Sequence, residues 1–138
     1  AAPQAPAAAP ASPAANYDPL RAAVGQTATE AGILKSAPLG PRLEALMGAD
    51  AYQQMLQDWQ TERPIEEEAG ILHAAGCQDN NCSGVGYDLF VDPAADAVNV
   101  FAIRDKRLTP YIDKGRIALP QGMADDFRAT QANAGVSP

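Results

Sequence analysis

Histidine is nearly absent from this chain, and that limits the catalysis it can support. His73 is the only one. A nucleophile–base pair would need a Ser or Cys beside it and a carboxylate to orient it. His73 instead lies in an apolar stretch with Ile71 and Ala75, the setting of a packed or edge histidine. Basic residues are also scarce: 10 Lys and Arg stand against 17 Asp and Glu, a formal net charge of −7. Such a chain repels phosphate backbones, which excludes nucleic acid as a partner class. No apolar run reaches the roughly 20 residues that cross a bilayer as a helix. The first residue is not Met and no basic-then-apolar leader is seen, so a mature or trimmed product is expected. Adjacent acids such as Glu67 with Glu68 and Asp125 with Asp126 occur by chance in an acidic chain, and nothing marks either pair as an acid–base couple.

Large apolar side chains are present in working number, although Ala supplies much of the 46% hydrophobic fraction. Residues 1–16 are almost all Ala and Pro and read as an extended tether of the kind that joins an envelope anchor to a folded domain. Residues 17–138 read as a single domain. Tyr17 to Leu34 allows a weak helix interrupted by Gly25 and Gly32, followed by a linker at 35–38. Leu39, Leu43, Leu46 and Met47 make the stripe of an amphipathic helix, with Gly48 as its stop. Asp50 is a candidate cap for a second helix carrying Tyr52, Met55, Leu56 and Trp59. The acidic run Glu66 to Glu68 reads as a solvated turn or strand entry. Strands are expected at Gly70 to Ala75, at Val85 to Asp92 with a clear period of two, and at Val98 to Ile103. A further strand at Arg107 to Ile112 is pushed to an edge by Pro110. Pro120 to Gln131 reads as a closing helix with Asp125 and Asp126 near its start, and Asn133 to Pro138 as a frayed end. Segregated helices and strands of this kind predict an α+β domain with an antiparallel meander.

Two cysteines with four residues between them fit one disulfide in an oxidising compartment, or two reduced thiols in the cytosol. A redox motif needs a gap of two residues, so that reading fails. Zinc could take His73, Cys77 and Cys82, but structural sites use four ligands at tighter spacing. Asp79, Asn81, Ser83 and Gly84 imitate the first half of a calcium loop. The twelfth position is Phe90 rather than a bidentate Glu, which leaves at most a weak cation site near Asp79. No cofactor is implied. With the disulfide taken, Cys77 and Cys82 enclose Gln78, Asp79, Asn80 and Asn81. All four side chains are polar and none can anchor a core. The loop is then either a preorganised binding finger or a stapled strand connection.

The stretch Ile71-Leu72-His73-Ala74-Ala75-Gly76-Cys77, the gap to Cys82 and the alternating strand from Val85 to Asp92 resemble the Ivy family of periplasmic inhibitors of c-type lysozyme, over residues 39 to 130. The resemblance implies an Ivy-like fold, no enzymatic activity, and a disulfide loop that enters the lysozyme cleft and meets its two catalytic carboxylates. The family's loop reads Lys-Pro-His-Asp with the histidine foremost. Here Asn80 stands at the histidine position, and Gln78, Asp79 and Asn81 replace the others. An Asn amide still donates a hydrogen bond to a carboxylate, without charge assistance.

The expected function is therefore a periplasmic inhibitor or immunity protein that blocks the cleft of a basic, lysozyme-like muramidase through Gln78, Asp79, Asn80 and Asn81. An N-terminal lipid tether and a second copy of the chain are further candidate associations. The alternative is an envelope scaffold or binding lipoprotein whose disulfide is purely structural.

Overall fold

The structure, a computed structural model, describes residues 17–136, so the tether expected over 1–16 lies outside the described residues. The chain order is α1 (Asp18–Ala22), α2 (Ala28–Ala31), α3 (Leu39–Met47), α4 (Ala49–Asp58), β1 (Thr61–Glu68), β2 (Ile71–Cys77), β3 (Val85–Asp92), β4 (Ala97–Arg104), β5 (Arg107–Asp113) and α5 (Gln121–Asn133). All five strands pair antiparallel in sequence order, β1-β2-β3-β4-β5. This is the expected α+β architecture, a meander with helices before and after it.

Strand alternation sends successive side chains to opposite faces of the sheet, and here both faces are covered. Leu72, Ala74, Val85, Tyr87, Leu89, Val91, Val98 and Val100 pack with the residues of α1 to α4. The other face carries Ile71, Phe90, Ala97 and Phe101, which α5 covers with Met123 and Phe127. All three phenylalanines of the chain meet on this side, with centroids 4.8 to 6.0 Å apart in tilted and edge-on arrangements. Fully burying such side chains stabilises by about 1.5–3 kcal/mol each. Burial on both faces also explains why Asp88 and Asn99, on the nominally polar phase of the alternation, are buried.

The helices at Leu39–Met47 and Ala49–Asp58 lie where their stripes predict, with Gly48 (φ 89°) between them. Asp50 does not cap the second helix: Gly48 holds the cap position and Asp50 falls in the first turn. The stretch Tyr17–Leu34 folds as two short helices. Thr27 and Glu30 form a reciprocal capping box at the start of the second.

The acidic run is strand rather than turn. β1 extends through Glu68 after a register irregularity between Arg63 and Glu66, where Pro64 sits. Glu68 is not left to solvent. Its carboxylate accepts the backbone N–H groups of Gly122 (3.2 Å) and Met123 (3.1 Å), capping α5 from another element. The early acids expected at the start of α5 are absent from its first turn, and Glu68 supplies the negative charge instead. The C-terminal end is also held. Gly135 (φ 74°) and the Val136 N–H bond to the Gln131 carbonyl close the helix, and Ala134 is buried, so the expected fraying does not begin at Asn133. β5 is an edge strand that includes Pro110, as expected.

A polar node closes the side opposite α5. Arg42 of α3 donates to Asp113 of β5 (3.0 and 3.1 Å), to the Asp96 carbonyl (2.7 Å), and to the Asp96 carboxylate and Tyr17 hydroxyl. Tyr17 and Lys114 also donate to Asp96, at 2.8 and 3.0 Å. Burial alone would raise the Asp96 pKa, but the bonds from Tyr17, Lys114 and Arg42, together with the Arg42 charge, hold it at about 2 against an ordinary 3.8. Burial and the bond to Asp96 push the Tyr17 hydroxyl well above its usual range.

A depressed folded-state pKa contributes stability that is complete above the ordinary carboxylate value and fades as pH falls toward the folded one. Asp96→Asn is therefore expected to cost about 1–2 kcal/mol near neutral pH. The gap in Tm between the variant and the parent should shrink as pH is lowered from 5 toward about 2. Thermal melts across that range check it, and a gap independent of pH would refute the role given to Asp96.

Candidate functional site: a disulfide-closed loop on a carboxylate anchor

β2 ends at Cys77, and the chain returns through Cys82, Ser83 and Gly84 to begin β3 at Val85. Cys77 and Cys82 are joined by a disulfide, with their Cα atoms 4.9 Å apart. The bonded sulfurs leave the zinc reading without a free thiolate. Among the described residues, no group of three or more His, Cys, Asp and Glu side chains is placed to hold a metal.

The enclosed backbone is hydrogen-bonded rather than loose. The Gln78 N–H donates to the Val85 carbonyl (3.1 Å), Asn81 N–H to Gln78 (3.0 Å), and the N–H groups of Gly84 and Val85 to Asn81 (2.9 and 3.0 Å). The Asn81 amide packs over Gly84, where a Cβ would come within 2.3 Å of its oxygen and displace it. The Asn81 amide folds back to donate to the Gln78 side-chain oxygen at 2.8 Å.

The four enclosed residues are brought together at one end of the sheet with different exposures. Gln78 is half-buried, and its amide N–H donates to Asp58 at 3.1 Å. Asp79 is exposed but tied down: its N–H donates to the Gln60 side chain (2.9 Å), and the Thr61 hydroxyl donates to its carboxylate. Asn81 is exposed and turned inward to Gln78. Asn80 is exposed at the tip with φ 60°, a left-handed conformation that Asn tolerates better than most residues. No hydrogen bond engages its side chain among the described residues.

Asp58, at the end of α4, is the anchor. It is 3% exposed and accepts from Tyr87 of β3 (2.7 Å), Arg104 of β4 (2.5 Å), Gln54 (3.1 Å) and Gln78 (3.1 Å). Burying a carboxylate is tolerable only with such compensation. Burial and the bond to Asp58 push the Tyr87 hydroxyl up to about 12. Beside the anchor, the Trp59 indole lies against β2, where a Cβ on Gly76 would fall 2.3 Å from the ring. The Trp59 N–H and the Thr29 backbone N–H both donate to Glu62, at 2.7 and 2.9 Å, which ties α2 and α4 to β1.

The supports Asp58, Gln60 and Thr61 do not emerge from the loop sequence. A signal for Asp58 does exist: an acid one helical turn after Met55, on the apolar side of the stripe. His73 is buried at 3% exposure, bonded through Nε2 to Asp88 (2.8 Å) and stacked on Phe90 at 4.4 Å. Its other nitrogen lies 3.7 Å from Glu66.

A protein-family model described as Inhibitor of vertebrate lysozyme (Ivy) matches residues 38–134, a span that takes in α3 to α5 and the whole loop. The chain belongs to the Ivy family. No curated protein and no solved structure matches it. The Ivy family is one of inhibitors rather than enzymes. The packed and paired state of His73 agrees with the sequence-based view that it serves the core.

Asp58→Asn retains the volume of the anchor but removes its charge and one acceptor. Loss of charge-assisted bonds in a buried site is expected to lower stability by about 1–3 kcal/mol. Amide exchange should accelerate at Gln78, Asn81 and Val85 more than in the centre of β3 and β4. Hydrogen-exchange NMR checks this, and uniform protection across the loop and sheet would refute the anchoring role.

Proposed function

We propose that this Ivy-family chain is a protein inhibitor of a lysozyme-like peptidoglycan hydrolase, and that it blocks the active-site cleft with the loop from Cys77 to Cys82. One observation carries the reading. The loop is immobilised by a disulfide and by bonds to Asp58, Gln60 and Thr61, while the Asn80 side chain at its tip is exposed and uncommitted. A tip ordered before docking loses little entropy on binding.

The chemistry of the tip suits the cleft. Glycosidase clefts pair a protonated carboxyl with an ionised one. A carboxamide offers N–H donors to the ionised group and a carbonyl acceptor to the protonated one. Asn80 can thus address both without a charge of its own. Neutrality at position 80 also fits a target other than the vertebrate enzyme, such as a bacterial muramidase held in check by its immunity protein. The net charge of −7 favours encounter with a basic hydrolase. The disulfide fits an oxidising envelope compartment, and we assign the chain to the periplasm.

Asn80→Ala removes the exposed amide and no internal bond, so Tm should fall only by the small backbone cost of Ala at φ 60°, while inhibition weakens about 10- to 100-fold. Replacing Asp79, Asn80 and Asn81 together with Ala should weaken it further, with some loss of stability. Reductant should weaken inhibition as well. Opening so short a loop costs about 2 kcal/mol of stability, so the fold should persist. A panel of c-type, g-type and bacterial muramidases, assayed with each variant at low and high salt, provides the measurement. Full inhibition by both Ala variants would show that the loop is not the plug.

A further inference from the structure

Beside the loop lies a cavity of about 230 Å³, between the disulfide end of the sheet and the C-terminal end of α5. Cys77, Cys82 and Ser83 border it on the loop side, and Thr130 and Asn133 border it on the helix. Ile103, Ala75 and Gly86 give it apolar walls. Asp88 also lines it, and Asp88 is 3% exposed. One Asp88 oxygen is bonded to His73 at 2.8 Å, and no bond engages the other among the described residues. A buried carboxylate oxygen without a partner is costly, so the site is short of one donor.

We infer that this cavity is a subsite for the ammonium of a lysine side chain presented by the hydrolase that docks on the loop. The inference deepens the proposed inhibitory function and rests on it for the source of the lysine. A single free acceptor oxygen suits a point ammonium better than a guanidinium fork, which seeks two. Apolar walls around a buried acid match a side chain with a hydrocarbon stem and a charged head. The volume is several times the share of one water molecule, about 30 Å³ in the liquid, and accommodates a four-carbon stem.

The charges around the cavity favour a cation. Asp88 is acidic, and the single basic lining residue, Arg63, is countered by Asp126 at 3.3 Å and Glu66 at 3.8 Å. Because Cys77, Cys82 and Ser83 belong both to the loop region and to the rim, a protein seated on the loop would cover the cavity mouth.

The test is a titration of the intact protein with n-butylammonium chloride, followed by amide NMR, with n-butanol and sodium chloride as controls. Saturable shifts are expected at Cys82, Gly86 and Asp88, absent with either control. Asp88→Asn should weaken the response at least tenfold. Should that variant fail to fold, Thr130→Phe fills the cavity from the helix side, leaves the His73–Asp88 pair intact and should abolish the response. A flat titration, an equal response to n-butanol, or parent-like binding by the folded variants would overturn the subsite. The titration contains no hydrolase, so such a failure leaves the loop reading standing. Normal butylammonium binding combined with loop variants that inhibit like the parent would instead overturn the hydrolase as the source of the lysine.

Discussion

A buried carboxylate with donors on both oxygens is the interaction on which this architecture turns. Asp58 joins the end of a helix to two central strands and, through Gln78, to the loop. None of these contacts is local except that from Gln54. The loop therefore inherits its position from the packing of α4 on the sheet and not from the disulfide alone. The disulfide limits the shapes available to six residues, and Asp58 fixes where the stapled loop sits relative to the domain.

That division of labour requires a rigid sheet. Burial on both faces supplies it: helices cover one side through an aliphatic core, and α5 covers the other through the phenylalanine cluster. The two cores also assign different roles to the same strands. On β3, Tyr87 faces the anchor while Asp88, the next residue, faces α5 and holds His73. A sheet with one wet face could not bury both.

Much of this was legible in the sequence. The stripes at Leu39–Met47 and Tyr52–Trp59, the alternation from Val85 to Asp92 and the Pro-limited last strand each follow from side-chain periodicity, which is local information. β1 was only partly legible. Its sequence, Thr-Glu-Arg-Pro-Ile-Glu-Glu-Glu, buries Ile65 alone, and its pairing with β2 is decided by backbone bonding. Glu68 looked like one of a solvated trio, because its partners on α5 lie 54 and 55 residues away. The loop itself was readable as polar, short and closed. What could not be read was the sorting of its four side chains into inward struts and an outward tip, since Gln78 and Asp79 are held by residues on α4 and β1.

The edges of the sheet bear on how this protein behaves at high concentration. A bare strand edge is a template for intermolecular pairing and aggregation. Here one edge, β1, carries Glu66 and Glu67 exposed to solvent and an irregular register around Pro64, while the other, β5, is interrupted by Pro110. Neither offers an uninterrupted ladder of donors and acceptors to a foreign strand. Both edges therefore disfavour polymerisation through the sheet and the addition of a foreign strand.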